Sequence, residues 1–145
     1  MSASTSSIDP GDTFGPSSWI EIPQEKIHAF AEATGDHQWI HVDPERAREG
    51  PFGTTIAHGY LTLSLLPVAS SEVIPRQGRM GINYGLNKVR FPAPVPVGSR
   101  VRATFEVLQV DELEGGRQVT MKATVEREGG EKPVCVAEIV FRHYL

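Results

Sequence analysis

The stretch from Thr54 to about Val73 constrains this chain more than any other. Ile56, Ala57, Tyr60, Leu61, Leu63, Leu65, Leu66, Val68 and Ala69 occupy nearly every face of a helix drawn through it. A helix that is apolar all round is a buried helix. The rest of the chain must therefore supply the surface that buries it. Pro67 is expected to kink or interrupt it, because proline removes an N–H and crowds the preceding turn.

The covering surface reads from the second half. Arg79 to Phe91, Ser99 to Val110, Gln118 to Glu128 and Pro133 to Tyr144 alternate as strands do. Pro92 to Gly98, Glu112 to Gly116 and Gly129-Gly130 supply the turns. Long antiparallel strands beside one buried helix predict an α+β fold, with the sheet curled around that helix. Short connections favour a meander. Upstream, a helix is expected from Ile22-Pro23-Gln24-Glu25 to about Ala33, with Gly35 placed for a C-terminal cap. A loop follows from His37 to Val42. Asp43 as N-cap and Pro44 at the first position then start a short second helix, closed by Gly50-Pro51.

A chain of 145 residues suits one domain, here residues 17–145. Residues 1–16 are rich in Ser, Gly, Pro and Thr and read as a flexible leader. They have neither a basic start nor an apolar h-region, so they do not read as a secretory signal. Fourteen Lys and Arg against 18 Asp and Glu give a net charge of -4. Without a basic run this gives no reason to expect nucleic acid or an anionic membrane as partner. No apolar run approaches the roughly 20 residues that span a bilayer, and the cytoplasm is the expected location. The single cysteine, Cys135, excludes an intrachain disulfide and a Cys-based zinc site, and it reads as a small buried hydrophobe.

Chemistry concentrates in two segments. Asp36 and His41 stand five positions apart in a loop. A helix would put positions i and i+5 on poorly aligned faces, so the loop is what lets the two converge on one water. A carboxylate and an imidazole together can orient a water, take its proton and return one to carbon. His58-Gly59 stands near the start of the apolar helix, where backbone N–H groups are unpaired. Gly59 has no side chain, so a substrate oxygen can approach its N–H closely.

The residues GDHQWIHVDPERA (35–47) and FGTTIAHGYLTLSLLP (52–67) resemble the hydratase signature of the MaoC-like, (R)-specific enoyl-CoA hydratase (hydratase 2) family. INYGLNKVRFPAPVPVGSRVRA (82–103) resembles the subgroup with nodulation-protein-N-like members. The resemblance implies a hot-dog fold, a catalytic pair of Asp36 and His41, and an oxyanion N–H at Gly59. It implies syn addition of water to a trans-2-enoyl-CoA, giving the (R)-3-hydroxyacyl product, and the reverse dehydration. It also implies a homodimer with joined sheets and acyl-CoA near the interface. CoA is then part of the substrate, and no cofactor is expected. Gln38-Trp39 stands where many members carry a small residue or proline, so Trp39 bears on the width of the acyl tunnel. Arg90, Lys88, Arg100 and Arg102 are candidates for the CoA phosphates.

Each residue also has a plainer reading. Asp36 alone would be a turn residue, and His41 alone a satisfied half-buried histidine. Their joint occurrence with Ala57-His58-Gly59 favours catalysis. Trp39, His58, Tyr60, Ser64, Asn83 and Arg90 are the expected substrate contacts. Against this, His58 could cap the helix or fill space, and Ser64 could bond back to its own helix. Asn83 could bond at a sheet edge, and Arg90 could be a surface strand arginine. His37 is expected to be solvated. A hot-dog thioesterase needs no imidazole beside the acid, and a non-catalytic acyl-thioester module needs neither residue. A metal site from Asp36, His41, Asp43 and His58 lacks the spacing of a tight ligand set, and none is expected.

Overall fold

The computed structural model describes residues 7–145. Three long strands form the expected meander. They are β4 (Arg100–Leu113), β5 (Gly116–Arg127) and β6 (Cys135–Tyr144), each antiparallel to the next. The first long strand, β3 (Met80–Arg90), departs from that meander and lies against β6. Two short strands, β1 (Thr13–Phe14) and β2 (Ile20–Glu21), pair with β4 on the opposite edge. The sheet order is β1-β4-β5-β6-β3, with β2 also on β4.

Period-2 patterning sets the inner face of this sheet. Val101, Ala103, Phe105 and Val107 of β4 are buried, as are Val119, Met121, Ala123 and Val125 of β5. Cys135, Ala137 and Ile139 continue that face on β6, so Cys135 is a buried core residue. Desolvation pushes its thiol up to about 11.

The helices pack on this face. Helix α1 (Gln24–Thr34) adds Ile27 to this core, and its Ala31 is buried as well. It ends at Gly35, whose φ of 84° is the left-handed conformation that suits glycine, and the Gly35 N–H bonds the Ala31 carbonyl. The segment expected as a loop contains one turn of helix, α2 (Trp39–Val42), before α3 (Pro44–Arg48). Asp43 caps α3 as expected, its carboxylate accepting from the Arg46 N–H at 3.1 Å. Asp43→Ala is expected to cost about 0.5–2 kcal/mol of stability. Denaturant unfolding measures that cost, and turnover should survive.

The long buried helix is corrected in three respects. Thr55 to Ala57 is extended, because the Ala57 N–H bonds Val95 and the Val97 N–H bonds Thr55. The helix begins at Gly59 as α4 (Gly59–Ser64), and α5 (Leu66–Val73) follows after a break at Leu65. Pro67 accounts for the break, since it has no N–H for the Leu63 carbonyl and its ring crowds that carbonyl. Burial is also one-sided. Leu61, Thr62, Leu66 and Ala69 are buried, whereas Tyr60 and Val68 are exposed.

The leader expectation changes as well. Its residues 1–6 lie outside the described residues, but Ile8 is a core residue. Gly11 and Ser17 donate to the Val107 and Ala103 carbonyls. Burial of one isoleucine and pairing along β4 outweigh the loop-forming composition of this stretch. Among the described residues, no helix is long and apolar enough to cross a membrane.

Candidate active site

The loop after α1 and the start of α4 meet at one place. Gln24, in the first turn of α1, ties them together: its amide donates to the His41 carbonyl at 2.8 Å and accepts from the Thr55 hydroxyl at 2.6 Å. These bonds fix the backbone on both sides of the site.

His41 is 7% exposed. Its Nδ1 lies 2.7 Å from the Ile56 carbonyl. A carbonyl only accepts, so Nδ1 carries the proton and Nε2 is left as a bare acceptor. Burial lowers the His41 pKa, and this outweighs the Ile56 bond, which raises it. The ring is therefore neutral at pH 7.

Asp36 is exposed at the mouth of the site. Its Oδ1 accepts from the Gln38 N–H at 3.3 Å, so the turn reading holds for one carboxylate oxygen. Its Oδ2 has no hydrogen-bond partner among the described residues. Asp36, His41 and His58 each bring one polar atom into a group whose members all lie within 4.8 Å of one another. The two imidazoles stack, with centroids 3.8 Å apart and planes inclined by 22°. Lone pairs lying in two nearly parallel planes do not converge on one ion, so this stack is a poor pair of metal ligands. A water at hydrogen-bond distance tolerates such geometry better.

Gly59 follows His58 directly. The N–H groups of Gly59 and Tyr60 have no acceptor among the described residues, as the first turn of a helix leaves them. A cavity of about 290 Å³ opens beside Gly59, with Phe52, Ile56, Ala57, Thr62 and Phe91 in its wall. A Cβ on Gly59 would lie 2.9 Å from Cδ2 of Phe91, so the glycine permits a close approach by that ring.

The other expected contacts are more dispersed. Trp39 packs against Gly50 and beneath the Arg46 guanidinium, 4.4 Å from its ring centre. Tyr60 meets the Phe91 ring edge-on at 6.2 Å. Ser64 bonds back to the Leu61 carbonyl at 2.6 Å, its plainer reading. Ser64 and Asn83 line a second cavity of about 330 Å³, between α4 and β3, rather than the one beside Gly59. The Arg90 guanidinium donates to the Val89 carbonyl, and Arg90 is exposed. Arg100 and Arg102 are paired with Glu128 and Glu126, so those cations are already partly neutralised. His37 is exposed and paired with Glu32. His58 departs from the substrate-contact expectation. It is 2% exposed and stands behind the pair, its Nε2 3.0 Å from the Asp36 carbonyl. A further cavity, about 460 Å³ between α5, β3 and β6, is lined by none of Asp36, His41 and His58, and nor is the cavity beside Gly59.

Sequence reasoning missed Gln24, the Ile56 carbonyl and Phe91. Gln24 gave a weak signal as a polar residue in the first turn of an otherwise ordinary helix. The other two contacts are made across the fold and left none.

The chain is similar to known proteins over most of its length. It is 59% identical over 135 residues to 3-hydroxyacyl-thioester dehydratase Z of Mycobacterium tuberculosis, covering 92% of this chain and 89% of that one. It is 49% identical over 132 residues to nodulation protein N of Rhizobium leguminosarum bv. viciae, covering 88% and 81%. Its fold matches the (R)-hydratase from A. caviae involved in PHA biosynthesis, with a TM-score of 0.78 at 26% identity, over 94% of this chain and 98% of that one. The curled sheet around α4 and α5 is thus a hot-dog fold. The family model of the MaoC-like domain matches residues 5–129, and the chain belongs to that family.

Proposed function

We propose that this protein is an (R)-specific enoyl-CoA hydratase, running reversibly as a 3-hydroxyacyl-thioester dehydratase. The observation that carries the reading is the meeting of the Asp36 carboxylate with a neutral, tautomer-fixed His41, and the unpartnered N–H of Gly59 follows directly on His58 of the same group. The relatives named dehydratase and (R)-hydratase support it.

In the hydration direction, Asp36 and the bare Nε2 of His41 hold one water. Its oxygen bonds to C3 of the trans-2-enoyl thioester as the C2–C3 π electrons move toward the carbonyl. The Gly59 N–H donates to the oxygen on which charge grows. The water loses one proton to the pair, and the pair returns one to C2. A single pair on one face of the substrate gives syn addition. Phe52, Ile56 and Phe91 give the cavity beside Gly59 an apolar wall suited to the acyl thioester.

A second copy completes the picture. Met80, Ile82, Tyr84 and Leu86 of β3 are exposed, with Leu86 turned to the face opposite Met80 and Ile82 by the register shift between Asn83 and Gly85, and the outer edge of the strand is unpaired among the described residues. Pairing of β3 with a second copy would remove the open edge.

The pH dependence follows from the direction of the His41 shift. A lowered pKa means that the neutral form persists below the usual histidine value of about 6.5. The acid limb of kcat/KM is expected below that value, with activity falling as pH drops through it. A limb above pH 7 would contradict a buried neutral base.

The assay is decay of the conjugated enoyl band with a short trans-2-enoyl-CoA, run beside a thiol-release assay. Loss of the band with no free CoA supports hydration. Free CoA identifies a hot-dog thioesterase, and binding without turnover identifies an acyl-thioester module.

A further inference from the structure

His58 has no place in the hydration step as described, yet it touches both members of the pair. Its Nε2 lies 3.0 Å from the Asp36 carbonyl, and that carbonyl can only accept. Nε2 therefore carries a proton. The same ring stacks on His41 at 3.8 Å and is backed by Phe30 at 4.8 Å. Its side chain does not cap α4, although His58 occupies the N-cap position. Its Nδ1 is buried without a hydrogen-bond partner. A side chain kept only to fill space would be apolar here, since an unpaired buried acceptor costs stability. A histidine is instead the side chain that offers a flat face to His41 and a donor to Asp36 at once.

We propose that His58 is the positioning residue of the catalytic pair: its Nε2–H holds the Asp36 main chain while its ring holds the plane of His41. The inference rests on the catalytic reading of Asp36 and His41. His58 itself touches no substrate. It fixes the separation of carboxylate and imidazole by joining the loop after α1 to the N-terminal end of α4. Displacing a catalytic group by about 1 Å can cost on the order of 10²-fold in rate.

The test uses two variants of the full chain. His58→Phe keeps a flat ring but removes the donor. His58→Gln removes the ring but keeps an amide donor of similar reach. Each is made alone and together with Asp36→Asn, and kcat and KM are measured on a short trans-2-enoyl-CoA. His58→Phe is expected to lower kcat by roughly 10- to 100-fold with KM little changed. His58→Gln should recover part of that loss. Combined with Asp36→Asn, either change should cost little more, because the group being positioned is already disabled. An unchanged kcat in His58→Phe would overturn the proposal. So would an equal loss in both backgrounds, which is the mark of general structural damage. If circular dichroism shows that His58→Phe does not fold, His58→Gln in the same two backgrounds decides by the same criterion. Full activity in Asp36→Asn alone would refute the catalytic reading first, and this proposal with it.

Discussion

Asp36→Asn and His41→Asn will each lower turnover by about 10²–10⁴-fold, the usual contribution of a positioned general acid or base. Both changes are designed to leave the backbone in place. Asparagine at position 36 keeps the oxygen that accepts from the Gln38 N–H. Asparagine at position 41 can set its amide nitrogen where Nδ1 stood, so the bond to the Ile56 carbonyl survives. What disappears is the anionic oxygen in the first case and the bare Nε2 in the second. The double variant should be little worse than the poorer single one, because the two groups serve the same water. Steady-state kinetics on the three proteins, with circular dichroism as a fold control, checks this. Near-normal turnover in either single variant would remove the proposed site.

Gly59→Val is the second large effect. Its Cβ would lie 2.9 Å from the Phe91 ring, and its branched methyl groups would crowd the N–H proposed to receive the thioester oxygen. Loss of one oxyanion donor costs about 10²–10³-fold in kcat. Two causes are then mixed, and Phe91→Ala separates them by making room. If the ring clash were the whole defect, Gly59→Val with Phe91→Ala would recover turnover. If the blocked N–H is the defect, the combined variant stays slow although it folds. The account predicts the second outcome.

The residues of the candidate site were legible because they are written locally. Asp36 and His41 share one short loop, and Gly59 follows a histidine at a helix start. The inner face of β4 and β5 was legible for a similar reason, since alternation alone sorts Phe105 and Met121 inward. What escaped depends on contacts between distant residues. Four strands in sequence suggest a meander, but β3 crosses to β6, and nothing local in Met80–Arg90 says so. Both faces of that strand are exposed, which its composition does not announce. Ile8 lies in a Ser- and Pro-rich stretch, yet the groove along β4 buries it. The apolar run from Ile56 did specify burial, but the Val95 and Val97 partners keep its first residues extended and Pro67 divides its helix. His58 shows the limit most clearly. The sequence placed it beside Gly59, but its bond to the Asp36 carbonyl spans 22 positions and depends on how α1 meets α4.

The central claim is that one pair adds both parts of water to one face of an enoyl thioester. Hydration of a short trans-2-enoyl-CoA in deuterated water, with the configuration read at C2 and C3 of the product, tests it most directly. The account predicts an (R)-hydroxyl at C3 and deuterium delivered to C2 on the same face. An (S)-product, deuterium on the opposite face, or a conjugated band that persists across chain lengths and on an acyl carrier protein substrate would contradict it.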